Sequence, residues 1–210
     1  MSSKENIVFF VDHDAAERDS LKQKIKQKAI SVQTFESAES FLTAYRQDCR
    51  GCLVTDIHLP GMNGFQLQGM LRNRKNKLPI IFLSDHGTIS QSVRAIKAGA
   101  IDFLVKPVPL EKFFASIQAA FVECEKLMLA DRQNRKFKSV LSKLTNREKE
   151  VMKLVVRGFS NKEIAAQLGI SFRTVEIHRG HMMRKSGVAN LLELIHLADE
   201  IGLNEYGCSN

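Results

Sequence analysis

The run Leu53-Val54-Thr55-Asp56-Ile57-His58-Leu59-Pro60-Gly61-Met62-Asn63-Gly64 decides the fold. Leu53 to Thr55 read as a short strand, Asp56 stands at its end, and the Pro60 to Gly64 turn redirects the chain. A core strand needs no charge at its end, so Asp56 marks a sheet edge where polar chemistry is placed. The same pattern recurs on both sides. Ile7 to Val11, Ser31 to Phe35, Ile80 to Leu83 and Ile101 to Val105 are further strand candidates. Helical patterns lie between them: Phe41, Leu42 and Tyr45 follow a Ser37 cap, and Val93 and Ile96 precede a Gly99 stop. Short apolar strands alternating with helices predict a five-stranded parallel sheet covered on both faces, a doubly wound α/β domain.

At 210 residues the chain exceeds the ~100–150 of one ordinary domain, so a second core is expected. From about Pro109 a last helix runs into the charged stretch Glu123 to Lys138, which reads as a helical linker, with a flexible tether as the alternative. Beyond it the strand pattern ends. Thr145 with Glu148 and Ser160 with Glu163 are capping boxes, each opening an amphipathic segment. Gly169 breaks the chain, Ser171 can cap a third helix from about Phe172 to Lys185, and a fourth runs from about Asn190 to Ile201. The expected division is 4–121, a linker at 122–140, and an all-α domain at 141–205.

The net charge of +8 is unevenly spread: residues 132–185 hold 14 Lys and Arg against 4 acids, a local excess of +10, whereas residues 186–210 contain no Lys or Arg. A confined basic block suits nucleic acid, and a solvated helical surface equally accounts for charge alone. No apolar run approaches the ~20 residues of a membrane span, and a short charged segment precedes the first strand, so a cytoplasmic protein with reduced thiols is expected. Cys49 and Cys52 form a CxxC with no second pair or histidine at ligand spacing, which reads as a loop residue and a strand residue.

Four polar residues follow the strands: Asp12, Asp56, Ser84 and Lys106. In an open parallel sheet the carboxyl ends of the strands border the ligand crevice, so the four suggest one pocket. A carboxylate can accept a phosphoryl group if the charge on the phosphoryl oxygens is neutralised. Lys106 offers a fixed cation, Ser84 a hydroxyl donor, and Asp12 with Asp56 a seat for Mg2+.

The segments from Val54 to Gly64 and Asp102-Phe103-Leu104-Val105-Lys106-Pro107 resemble those of flavodoxin-like receiver domains, and residues 4–121 resemble them throughout. The resemblance implies that Asp56 is the phosphoacceptor, Ser84 the switch hydroxyl, Lys106 the phosphate-contacting lysine and Phe103 a rotating aromatic. It also implies a metal contact from the backbone carbonyl of His58 and a histidine kinase as phosphodonor. Receivers usually place two adjacent acids after the first strand, where this chain reads Asp12-His13-Asp14. Imidazole is a poor ligand for Mg2+. Asp14 compensates through a shifted loop, or metal is held weakly, His13 included, or the domain is not phosphorylated.

The third C-terminal helix carries Arg173, Thr174, His178, Arg179, His181, Arg184 and Lys185 beside Val175, Met182 and Met183, the division a recognition helix needs between phosphates and its own scaffold. Leu144 to Glu148, Ser160 to Ala165 and Thr174 to His178 resemble the LuxR/FixJ/NarL type of helix-turn-helix. That resemblance implies phosphate contacts from Lys162, Thr174, Arg179 and Lys185, with Arg173 among the DNA-binding set, and base-edge contacts from Glu176, Ile177 and Gly180. It also makes the fourth helix a dimer contact. Glu176 either accepts from a cytosine amino group or remains a solvated acid. Receiver and helix-turn-helix together resemble FixJ-type response regulators. The expectation is a non-enzymatic transcription factor that, once phosphorylated on Asp56 with Mg2+, dimerises on double-stranded promoter DNA away from any membrane. One alternative is a pseudo-receiver regulator that ignores phosphate. A remote one is an aspartate-nucleophile phosphohydrolase, which needs an acid where His58 stands.

Overall fold

The structure, a computed structural model, describes residues 5–46, 49–74, 76–188 and 190–199; the side chains at 134, 136, 137 and 196–199 lie outside the description. The expected end of the fourth C-terminal helix at Ile201, the domain end at 205 and residue 4 also lie outside the described residues.

The chain divides into two compact units, Met1–Met128 and Leu129–Asn210. In the first, β1 (Ile7–Val11), β2 (Ser31–Phe35), β3 (Gly51–Asp56), β4 (Ile80–Ser84) and β5 (Asp102–Val105) form one sheet in the order β2-β1-β3-β4-β5. All four pairings are parallel. Around it lie α1 (Ala15–Gln27), α2 (Ala38–Ala44), α3 (Gly64–Asn73), α4 (Ile89–Lys97) and the beginning of α5 (Leu110–Lys143). The continuous apolar runs have a direct cause: alternate residues feed opposite cores. Phe9, Leu53 and Phe82 face Phe41 of α2, Leu67 of α3 and Ala95 of α4. Val8, Phe10, Val54, Ile81 and Leu104 face Ile25 of α1 and Phe113 and Ile117 of α5.

The strand boundaries depart slightly from expectation: β3 begins at Gly51 rather than Leu53, and β5 begins at Asp102 rather than Ile101. Gly and Cys carry little β signal, and register on β1 extends β3 backward, with Gly51 opposite Ile7. The stretch 122–140 is helical, within α5.

The second unit contains α6 (Asn146–Val156), α7 (Asn161–Leu168), α8 (Phe172–Ser186) and α9 (Leu191–Asp199). Both expected capping boxes are present, with Thr145 Oγ1 accepting from the Glu148 amide and Ser160 Oγ from the Glu163 amide. Val151, Met152, Val155, Ile164, Val175, Met182 and Leu194 close one core. No helix among the described residues is long and apolar enough to cross a membrane.

Candidate functional site

Strand order reverses at β1, whose neighbours β2 and β3 continue the chain in opposite directions across the sheet. The crevice at such a point lies beyond the carboxyl ends of the strands. Asp12 directly follows β1, and Asp56 and Ser84 end β3 and β4; all three are fully buried. Lys106 follows β5, and its ammonium gathers the edge together. Nζ donates to Asp12 Oδ2 at 3.1 Å and Asp56 Oδ2 at 3.3 Å, pairs closely with Glu17, and lies 3.8 Å from Asp85 Oδ1. Burial pulls the ammonium toward neutrality, but Glu17, Asp12 and Asp56 outweigh it and raise its pKa above the ordinary lysine value. An open groove of about 800 Å³, lined by Glu17, Leu21, Asp85, His86, Lys106 and Phe113 among others, borders the Lys106, Glu17 and Asp85 side of the cluster.

Backbone groups hold the carboxylates in place. The amide of His58 donates to Asp56 Oδ1 at 2.9 Å, and the amide of Asp14 donates to Asp12 Oδ1 at 2.8 Å. The loop after Asp56 is drawn tight by the Gly64 amide, which donates to the Ile57 carbonyl at 3.0 Å. A Cβ at Gly64 would stand 2.5 Å from the Asp56 carbonyl oxygen, so only glycine lets α3 begin this close to β3. Ser84 Oγ is buried without a hydrogen-bond partner among the described residues, although nearly all buried hydroxyls have one.

The residues expected around a cation separate. Asp12, His13 and Asp56 each place a donor atom within 4.8 Å of the others. Asp14 does not join them: its Oδ1 caps α1, accepting from the Ala16 and Glu17 amides, and those bonds hold its carboxyl below the usual range. Phe103 is half-buried against the α2–α4 core, with its ring 6.4 Å from that of Phe82. Glu17 and Asp85 were not foreseen. Glu17 stands three residues after the Asp14 cap, where an acid ordinarily favours the helix dipole, and only the fold brings Lys106 to it.

In the second unit, Arg173, Glu176, Ile177, Gly180, His181 and Arg184 form one exposed stripe along α8, while Val175 and Met182 are buried. Lys162 is exposed on α7 and Thr174 is half-buried. Glu176 lies 3.3 Å from Arg173, and Arg179 donates to Asn161 Oδ1 at 2.8 Å, joining α8 to the start of α7. Lys185, expected among the phosphate contacts, instead donates to both Glu148 oxygens at 2.8 Å. Glu148 is almost fully buried. Burial pushes its carboxyl up, but Lys185 and the Thr145 amide and hydroxyl overcome this and hold it at about 2. The folded-state value is thus below the ordinary 4.5, so the stabilisation is complete above about pH 4.5 and disappears as pH falls toward 2. Calorimetry between pH 6 and 3 should show this unit losing stability, with a smaller loss in Glu148→Gln. Lys185→Ala, which leaves that carboxylate only the Thr145 amide and His181, 3.8 Å away, should cost on the order of 2 kcal/mol at pH 7.

Comparison with known proteins places both halves. Residues 8–118 match the response regulator receiver domain, and residues 142–198 match the LuxR family of bacterial regulatory proteins. The chain belongs to the response regulators. This response regulator is 38% identical to nodulation protein W of Bradyrhizobium diazoefficiens, over 97% of its own length and 89% of that protein's. It is 34% identical to transcriptional regulatory protein FixJ of the same species, covering 93% of its own length and 96% of FixJ. Among solved structures, response regulator StyR superposes with a TM-score of 0.81 at 37% identity, over 93% of this chain and 99% of StyR. The FixJ/NarL resemblance, the receiver fold and the helical DNA-binding domain are therefore established. The response regulator is a transcriptional regulator of a two-component system, and its family is not one of enzymes, which removes the phosphohydrolase reading.

Proposed function

We propose that Asp56 accepts a phosphoryl group from a histidine kinase in the cytoplasm and that this drives receiver pairing and promoter binding. The single observation that carries the reading is the buried hydroxyl of Ser84, without a partner among the described residues, beside Asp56 and Lys106 at one sheet edge. In the transfer an Asp56 carboxylate oxygen attacks phosphorus, the phosphohistidine N–P bond breaks, and the imidazole leaves with its electron pair. The Lys106 ammonium balances charge on the phosphoryl oxygens and Ser84 donates to one of them. Phe103 then repacks as Ser84 is drawn inward. Asp12, Asp56 and the His58 carbonyl are hard oxygen donors that suit a divalent cation, which would supply further charge neutralisation; His13 does not suit Mg2+.

On DNA, the exposed stripe of α8 enters the major groove. Glu176, Ile177 and Gly180 face base edges, while Lys162, Arg173, Thr174 and Arg179 meet phosphates. Lys185 is reassigned from phosphate contact to scaffold because its ammonium is committed to Glu148. The beginning of α9, with Leu192 exposed, is the contact through which two such domains pair. Arg179→Ala should weaken specific and random DNA alike and lower the salt slope by about one. A loss confined to one base position would remove Arg179 from the phosphate contacts.

A second reading, control by partner contact without phosphate, is favoured by one observation: Lys106 is already occupied by Glu17. Acetyl phosphate with divalent cation separates the two. The first reading expects acid-labile phosphate located at Asp56, sedimentation as a dimer and tighter promoter binding, all lost in Asp56→Asn. Absence of that phosphate leaves the second.

A further inference from the structure

We propose that the edge of β1 and β3 is a mixed nitrogen and oxygen metal site, selective for a first-row transition cation of the manganese-to-zinc class over Mg2+, with His13 as a direct ligand. It rests on the reading of Asp12 and Asp56 as the cation ligands of the phosphorylation site. The donor atoms of Asp12, His13 and Asp56 all lie within 4.8 Å of one another. His13 Nδ1 is 3.6 Å from Asp12 Oδ1. Bonds of ~2.1 Å to one ion put neighbouring ligands ~3–3.5 Å apart and opposed ones ~4.2 Å apart, so this pair needs little adjustment to share an ion.

The surrounding hydrogen bonds favour the same arrangement. Lys106 occupies Oδ2 of both aspartates, while the Asp14 amide holds Asp12 Oδ1, the oxygen on the His13 side. Half of the His13 side chain is exposed, leaving the ring free to close without disturbing the core. Asp14, the acid that could have kept the site all-oxygen, is spent on the α1 cap. The third side-chain donor is therefore imidazole. Mg2+ requires near-ideal octahedral oxygen ligation, whereas Mn2+, Co2+ and Zn2+ accept imidazole with carboxylates. The fully buried hydroxyl of Ser84, without a hydrogen-bond partner among the described residues, ends β4 at the same sheet edge.

Calorimetric titration of the full chain with Mg2+ and Co2+ tests this, comparing the native protein with His13→Ala, His13→Asp and Asp12→Asn. His13→Ala should weaken Co2+ by about tenfold or more and change Mg2+ by less than about threefold. His13→Asp should tighten Mg2+, and Asp12→Asn should weaken both. Co2+ should shift imidazole proton resonances in the native protein, and one such set should vanish in His13→Ala, a signature that loss of packing alone would not give. Equal Co2+ affinity in native and His13→Ala, equal Mg2+ and Co2+ affinity in the native protein, or Co2+ binding that survives Asp12→Asn overturns the proposal. Acetyl phosphate labelling of Asp56 is scored separately. Selective Co2+ binding through His13 without phosphate at Asp56 upholds the metal site and ends the phosphoacceptor reading. Labelling with Mg2+ and no effect of His13 on Co2+ does the reverse.

Discussion

Gly51→Ala is expected to abolish folding of the N-terminal unit. Gly51 opens β3 at φ +141°, a conformation L side chains rarely adopt, and a Cβ there would lie 1.7 Å from the Ile7 carbonyl oxygen. That oxygen belongs to β1, the neighbouring central strand, and Ile7 also donates to the Arg50 carbonyl at 3.0 Å. Neither backbone can retreat without breaking the β1–β3 ladder that holds Asp12 beside Asp56. The cost should exceed ~4 kcal/mol, against a whole-domain stability of ~5–15 kcal/mol. Circular dichroism should show loss of the strand signal and calorimetry the loss of one transition. Gly69→Ala is the control: it lies in α3 with nothing within 4 Å of its Cβ, so stability should hold or rise by up to ~1 kcal/mol. A Gly51→Ala protein that melts like the native one would refute the close approach.

Lys106→Met should produce the second large effect, opposite in its response to acid from that of Glu148. The ammonium is the cation shared by Asp12, Glu17, Asp56 and Asp85, and two of these carboxylates have no exposure at all. Methionine keeps the aliphatic length and removes the charge, leaving buried like charges with no cation between them. Breaking a buried pair costs ~3–5 kcal/mol, and part of Lys106 is exposed, so about 3 kcal/mol is expected at pH 7. Protonation relieves the excess negative charge, so the variant should regain stability as pH falls toward 4, and millimolar divalent cation should restore it at neutral pH. On the proposed phosphoacceptor reading, labelling of Asp56 by acetyl phosphate should slow by roughly 10²-fold. A variant as stable as native at pH 7 and indifferent to cation would show that Lys106 does not balance the cluster.

The sheet and its edge were legible because the relevant signals are local. Apolar runs end at Asp12, Asp56, Ser84 and Lys106, and parallel strands bring their ends to one side whatever the details of packing. The helix ends at Ser37, Thr145, Ser160 and Gly169 were readable for the same reason, since each depends on residues three or four apart. The pairings that distance hides were not. Lys185 reads as a free basic residue in the last turn of α8 and Glu148 as an ordinary capping partner, and only folding brings together residues 37 apart. Glu17 escaped likewise, being 89 residues from Lys106. The His13 substitution was visible, whereas the engagement of Asp14 as a cap, which decides what surrounds His13, required the loop geometry.

The hydroxyl of Ser84 has a thermodynamic corollary. A buried donor with no partner among the described residues costs a fold ~1–3 kcal/mol, and whatever brings an oxygen to it recovers that amount. Occupancy of the site and resistance to heat are then one linked equilibrium. A ligand at a hundred times its Kd adds ~2.7 kcal/mol to the stability of the unit. Under the proposed reading, occupancy of the site can thus be followed as a melting temperature in a chain that contains no tryptophan to report it optically.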